Sequence, residues 1–377
     1  MRKAVIILIA LICAGSAVNR NAFKSDISNR DVVQGVGIDI NADGTYTVTL
    51  ETINTENYSN ADGAAKPVMN LRTLHGKTVS SAIKSAYSID GKTPVLSQNR
   101  VIVIGKELAE RGILPSLDFF IRDAENYPTV QIATVEEKAE DFFKNASSES
   151  TVVSRNIEKI LLTSDDDMTV SSITLCELMN RLESAGHSFY VPIITTFKEK
   201  DRPEIKSKGT AVFKEDKYVC SLSEEETASL NFISDKARKG SVDFNTDEGF
   251  AAISIIKSKT VRKVDCSAEN PIFYIKIEID ADIAESDTDT EYSLSKSEVD
   301  SLKSYAEEKV KSDIEKLSEK LYTEQQADAA GLSRLIYIHY PELFRENEKN
   351  LNEIMTESQY FVEVEICVRR VGQDYVS

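Results

Sequence analysis

The segment Val101-Ile102-Val103-Ile104-Gly105 constrains this chain more than any other. Four consecutive β-branched residues ended by glycine predict a buried strand, because branching at Cβ favours the extended backbone and no polar position interrupts the run. Residues Lys106 to Arg111 then predict a short helix closed by Gly112. A second helix starts near Pro115, whose missing N–H costs nothing in a first helical turn, and carries the run Leu117 to Asp123.

Around this segment strands and helices alternate, which predicts a sheet covered by helices. Residues 31–40 (DVVQGVGIDI) and 45–53 (TYTVTLETI) flank Asn41-Ala42-Asp43-Gly44 and predict a β-hairpin; residues 54–67 read as a loop. Thr78 is placed to cap a helix whose apolar positions Val79, Ala82, Ile83, Ala86 and Tyr87 fall on one face. A strand is expected over 129–134, helices over 135–143, 152–162 and 175–182, a solvated loop at 164–167, and a strand over 189–197.

At 377 residues the chain is too long for one compact core. The charged stretch 198–208 (KEKDRPEIKSK), which contains Pro203, interrupts both periodicities and is the expected break between an N-terminal region, 23–200, and a C-terminal region, 205–372. Beyond it, strands at 209–214 and 218–222 pair across a turn, and Ser223 with Glu226 forms a capping box. Two later strands have period two: Ile275, Ile277, Ile279, Ala281 and Ile283 share a dry face, as do Val362, Val364, Ile366 and Val368. Between them Val299, Leu302, Ala306, Val310, Ile314, Leu317 and Leu321 recur every three or four residues, so a helix over about 295–322 covers that dry face. The expected fold class is α+β, multidomain, with mixed or antiparallel sheets covered by helices.

The formal charge of −17 disfavours nucleic acid and bare anionic membranes as partners. Membrane association therefore needs an anchor or a protein partner. Residues 1–17 have a signal-peptide layout: Arg2 and Lys3, an apolar run from Ala4 to Ala14, then Gly15-Ser16-Ala17. The run is shorter than the roughly 20 residues that span a hydrocarbon core. Outside the signal, Cys176, Cys220, Cys266 and Cys367 show neither CxxC nor Cys/His spacing, and are expected as small, mainly buried apolar residues; export leaves a disulfide open without pairing them.

Several motifs resemble chemical sites and fail on their next residue. The run from Asp39 to Gly44 opens like a calcium loop, yet the twelfth position is Leu50 and Asp-Gly suits a hairpin turn. Gly76-Lys77-Thr78 and Gly91-Lys92-Thr93 end like phosphate loops, with Leu71 and Ala86 where the first glycine belongs. Gly35-Val36-Gly37 lacks a third glycine at Ile40 and instead predicts a close approach of a backbone or helix. His75, His187 and His339 have no metal-ligand spacing and read as surface or capping residues, and the acidic run 285–291 reads as a solvated loop. No catalytic, cofactor or metal residue is therefore assigned, and no cofactor is expected.

Taken in order, Val32 to Asp39, Val101 to Asp123, the strand into Tyr190-Val191-Pro192, Gly209 to Lys214 with Leu222, and Arg369-Arg370-Val371-Gly372 resemble the landmarks of the Ger(x)C family, the C subunits of nutrient germinant receptors in endospore-forming bacteria. The family pattern carries a lipobox cysteine followed by tryptophan and aspartate, which would fall near Asn21, and this chain has no tryptophan. Cys13 is the one nearby thiol and the sole candidate for lipidation, although Ile12 before it is larger than a lipoprotein peptidase wants. Phe344 and Leu351 stand where C-terminal tryptophans are expected. The resemblance implies several α/β domains and a non-enzymatic receptor subunit at the outer face of the spore inner membrane. Its implied partners are membrane-embedded A- and B-type subunits, with a lipid anchor to the membrane surface. An exported small-ligand-binding protein of the cell envelope is the alternative, and a secreted hydrolase ranks third.

Overall fold

The computed structural model describes residues 30–53, 69–123, 125–147, 152–200, 202–247, 249–268, 270–287, 294–371 and 374–375. The expected loop at 54–67, the signal region with Cys13, and most of the acidic run 285–291 lie outside them.

The first sheet contains β1 (Arg30–Ile40), β2 (Tyr46–Ile53), β3 (Met69–Gly76), β5 (Val101–Ile104), β6 (Gln131–Thr134), β7 (Ser188–Glu199), β8 (Arg202–Lys214) and β9 (Lys217–Leu222) in the order β3-β2-β1-β5-β6-β7-β8-β9. A short β4 (Thr93–Val95) runs parallel to the start of β1. Strands β1, β5, β6 and β7 are parallel, and antiparallel pairs flank them. Buried parallel strands need cover on both faces, and the strand Val101–Ile104 shows it. Ile102 and Ile104 join one core with α1 (Val79–Asp90), α2 (Lys106–Arg111), α3 (Leu114–Arg122) and α6 (Leu175–Leu182). Val101 and Val103 point the other way, into a core with α4 (Ala139–Ala146) and α5 (Val153–Leu161).

The close approach expected at Gly35-Val36-Gly37 is real. A Cβ on Gly35 would lie 2.7 Å from the Cβ of Ser154, and one on Gly37 would lie 3.1 Å from both Ala139 and Phe143. The two glycines thus let α4 and α5 rest on β1.

The second sheet is ordered β10 (Gly240–Asn245), β11 (Phe250–Asp265), β12 (Ile272–Ser286), β13 (Gln359–Val371) and β14 (Asp374–Tyr375). Its dry face carries the predicted isoleucines of β12, all buried, and is covered by α7 (Glu224–Ile233) and the long α8 (Lys296–Ser318). All seven predicted apolar positions of that helix are buried, and a π turn over Glu319–Glu324 extends it. Three short helices, α9 (Ser333–His339), α10 (Pro341–Asn347) and α11 (Leu351–Glu357), lead into β13. Phe344 and Leu351 are both buried in this core.

Some expectations are corrected. The stretch 198–208 is the tip of the β7–β8 hairpin and continues the first sheet, because hydrogen-bonded strands extend beyond their core as exposed, charged ribbon. The helix expected over 135–143 starts at Ala139. Tyr87 lies off the buried face of α1, and residues 162–165 form a 3-10 turn where a loop was expected to begin. Cys176 and Cys367 are exposed, Cys220 and Cys266 half-buried, and all four are free thiols.

Candidate functional site

Four helices begin with their own capping boxes: Thr78 with Ser81, Thr174 with Glu177, Ser223 with Glu226 and Ser295 with Glu298. Four others lack a local side-chain cap, and in each a carboxylate distant in sequence or at a turn supplies one. Asp39 on β1 accepts from the N–H groups of Ala139 (2.8 Å) and Glu140 (3.0 Å). Glu51 on β2 accepts from those of Val153 (2.6 Å) and Ser154 (2.9 Å) and from the Ser154 hydroxyl. Asp216, in the β8–β9 turn, accepts from Leu114 N–H at 3.3 Å, and Asp328 accepts from Leu332 and Ser333 N–H at 2.8 Å each. Unpaired N–H groups and the helix dipole both favour a negative charge there. Asp39, Glu51 and Asp328 are buried, Asp216 is half-buried, and each is held by the helix N–H groups it caps.

Burial raises the Glu51 carboxyl above its ordinary 4.5, partly offset by the donors from Ser154 and Val153. An acid raised in the folded state contributes stability below its unfolded value and loses it as pH rises through the folded one. The stability advantage of the wild type over Glu51→Gln should therefore grow as pH falls from 7 towards the ordinary carboxylate range. Urea midpoints of both proteins at several pH values measure this; a difference that shrinks on acidification would show that the hydrogen bonds outweigh burial.

The histidines occupy separate elements. His75 on β3 has Nδ1 3.1 Å from Thr47 Oγ1; His187, at φ +42°, has Nδ1 2.7 Å from Leu182 O at the end of α6; His339 closes α9. Among the described residues no group of three His, Cys, Asp or Glu side chains could hold a metal ion. Gly76 to Thr78 is the capped entry to α1, and Gly91, at φ +72°, is its left-handed C-cap. In the Asn41–Thr45 turn, Asp43 accepts from the Thr45 backbone and hydroxyl.

What the surface offers is shape. Between α1 and α3 runs an open groove of about 810 Å³, walled by Ile83 and Tyr87 on one side and Phe119 on the other, with Pro94 and Leu96 in its floor. Sequence reading missed it because its walls come from helices whose periodicity reports only their buried faces. The wet face of the second sheet is polar and internally paired. Lys276 lies 2.9 Å from Glu365, Arg369 pairs with Asp280 at 2.8 Å, and Arg370 with Asp282 at 2.6 Å. Tyr274 and Phe361 stack on that face with ring centres 5.7 Å apart.

The two sheets meet at a tight joint. Arg181 of α6 stacks 4.8 Å from the centre of the Tyr190 ring and donates to Ala329 O at 2.8 Å. At Gly186 a Cβ would sit 2.8 Å from that of Asp328. Met168, Tyr190, Val212 and Leu222, all N-terminal to the second sheet, belong to its core.

The family profile "Spore germination protein N-terminal domain" matches residues 24–196, and "Spore germination B3/GerAC like, C-terminal" matches residues 208–372. Spore germination protein B3 of Bacillus subtilis (strain 168) is 25% identical over 352 residues, covering 92% of each chain. The putative spore germination protein YfkR of the same organism is 24% identical over 189 residues, 48% of each chain. The crystal structure of the GerBC protein superposes with a TM-score of 0.58 at 21% identity, covering 88% of this chain and 96% of that one, and shares the fold. With both halves matched in order, the chain belongs to the GerAC-like (GerC) family of spore germination proteins.

Proposed function

We propose that this protein is a non-enzymatic subunit of a nutrient germinant receptor, exported to the outer face of the spore inner membrane and held there peripherally or through a lipid on Cys13. In this reading it assembles with membrane-embedded A- and B-type subunits and helps to relay nutrient binding to germination. The observation that carries it is the ordered match of both family halves across residues 24–196 and 208–372. The fit between this role and the molecule is physical: an open surface groove and a closely packed joint between the sheets suit assembly and relay.

The test is a tagged pull-down from detergent-solubilised spore inner membranes with co-purified proteins identified by mass spectrometry. Recovery of polytopic receptor subunits is expected; recovery of the tagged protein alone would sink the reading. Weighed intact, the same material tests the anchor, since an unmodified N-terminus cut near Ala17 removes Cys13 from consideration. The α1–α3 groove keeps one alternative in play, a small-ligand-binding protein of the cell envelope. A thermal shift with a nutrient added to the isolated protein would favour it.

A further inference from the structure

We propose that the outer edge of β13 takes up an extended strand of another protein, one with arginine or lysine at alternate positions and apolar residues between them. The proposal stands on the edge itself and not on the receptor reading above. Adding a strand to an open edge draws affinity from main-chain hydrogen bonds and specificity from the alternate side chains.

Strand β13 has 13 residues and pairs along one side with β12, from Gln359 to Val371. On its other side, among the described residues, only Arg370 and Val371 are paired, with β14. The backbone shows which groups face outward. Ile366 N–H turns away from β12 and donates to Glu307 Oε1 of α8 at 2.8 Å. Successive residues of a strand direct their N–H and C=O to opposite sides, so those of Val362 and Val364 point outward as well. Charged side chains reaching in are one means by which proteins protect a sheet edge, and Glu307 closes this one at Ile366. The edge is left open over residues 360–365, about the length of an ordinary strand.

Charge selects the occupant. On the wet face Lys276 lies 2.9 Å from Glu365, 3.6 Å from Glu363 and 3.9 Å from Glu278, and each of these carboxylates is more than half exposed. Glu363 and Glu365, on the edge strand itself, share that one ammonium, while Arg369 is taken by Asp280 and Lys259 of β11 faces Glu278 from the side away from the edge. Negative charge is therefore in excess along the open edge. A residue added opposite Glu363 or Glu365 shares their face, where an opposite charge stabilises the pair and a like charge destabilises it. Beside them the stacked Tyr274 and Phe361 rings offer an arginine an aromatic face. Residues added opposite Val362 and Val364 fall on the other face, where Val364 is only half-buried and gains cover from an apolar neighbour. The pattern basic–apolar–basic is thus read off β13. A second copy of this chain brings the same carboxylates to the joint and is the disfavoured occupant.

The experiment uses the purified full chain with the end-blocked peptide TVRVRVT and its acidic counterpart TVEVEVT, and reads amide hydrogen exchange resolved to single residues. With the basic peptide in excess, exchange at Val362 and Val364 should slow at least about tenfold, while Glu363 and Glu365, whose N–H groups already face β12, stay unchanged. The acidic peptide should leave all four as they were. Val364→Pro removes an outward N–H without breaking the pairs with β12, a position at which a sheet tolerates proline. It should bind the basic peptide at least about tenfold more weakly than Val364→Ala, the control for the lost side chain. No protection, equal protection by both peptides, protection placed elsewhere, or binding undiminished by the proline would overturn the proposal. So would a dimer in sedimentation that the proline abolishes, which would give the edge to a second copy. If Val364→Pro does not fold, the exchange pattern of the wild type decides alone.

Discussion

Replacing Asp328 with alanine should destabilise the protein by about 3–5 kcal/mol, the cost of stripping a buried group from donors that then have no partner. Asp328 is 2% exposed, and its two oxygens hold the N–H groups of Leu332 and Ser333. Its surroundings leave no room for repair. Gly186 is pressed against it from the first sheet's side, so water can reach the orphaned donors only if the joint opens. Because burial raises this carboxyl above its ordinary value, asparagine, neutral and nearly isosteric, should lose only about 1–2 kcal/mol. Denaturant midpoints rank the two variants, and proteolysis over 325–332 reports whether the joint has opened. Equal losses for both would mean that the negative charge, and not the geometry, holds the loop.

The second large effect is expected at Gly35. A valine there would drive its branches into Ser154, already 2.7 Å from an added Cβ, and towards the Phe143 ring at 3.4 Å. Ser154 cannot retreat freely, because its N–H and hydroxyl are both held by Glu51. Overpacking of a close-packed site costs about 1–3 kcal/mol, and here the loss of the Glu51 cap adds to it, so a total above about 3 kcal/mol is expected. Gly37→Ala, whose Cβ meets Ala139 and Phe143 at 3.1 Å, should be milder. Thermal or urea unfolding of Gly35→Val, Gly35→Ala and Gly37→Ala checks the order; a tolerated valine would mean that α5 shifts as a body.

Both effects bear on what could be read without coordinates. The run Val101 to Ile104, the hairpin around Asp43-Gly44, the helix cap at Thr78, the capping box at Ser223, and the period-two face of Ile275 to Ile283 are local signals, and each reappears where its pattern put it. Gly35 and Gly37 were legible as a close approach, though not what approaches. Strand β3 was not legible because only Leu74 in it is buried, so no alternation marks it. The start of α4 was placed too early because its cap, Asp39, lies 100 residues upstream and leaves no trace beside the helix. For the same reason the groove had no signature: Tyr87 looked like one more core position, and only the placement of α3 opposite it makes its exposure meaningful.

The hairpin that replaced the expected linker has a consequence for the order of assembly. Strand β7 touches β6 through a single register pair, Thr134 with Ile193, and takes twelve further pairs from β8. A chain emerging N-terminus first therefore holds β7 with one edge almost unclaimed until residues 202–222 arrive to fill it. Open strand edges are the surfaces on which nascent proteins aggregate. Tyr190, which belongs to the second sheet's core, must wait longer still. The second family half thus supplies two strands of the first half's sheet, and a fragment ending at residue 200 is expected to be less stable to urea than the full chain.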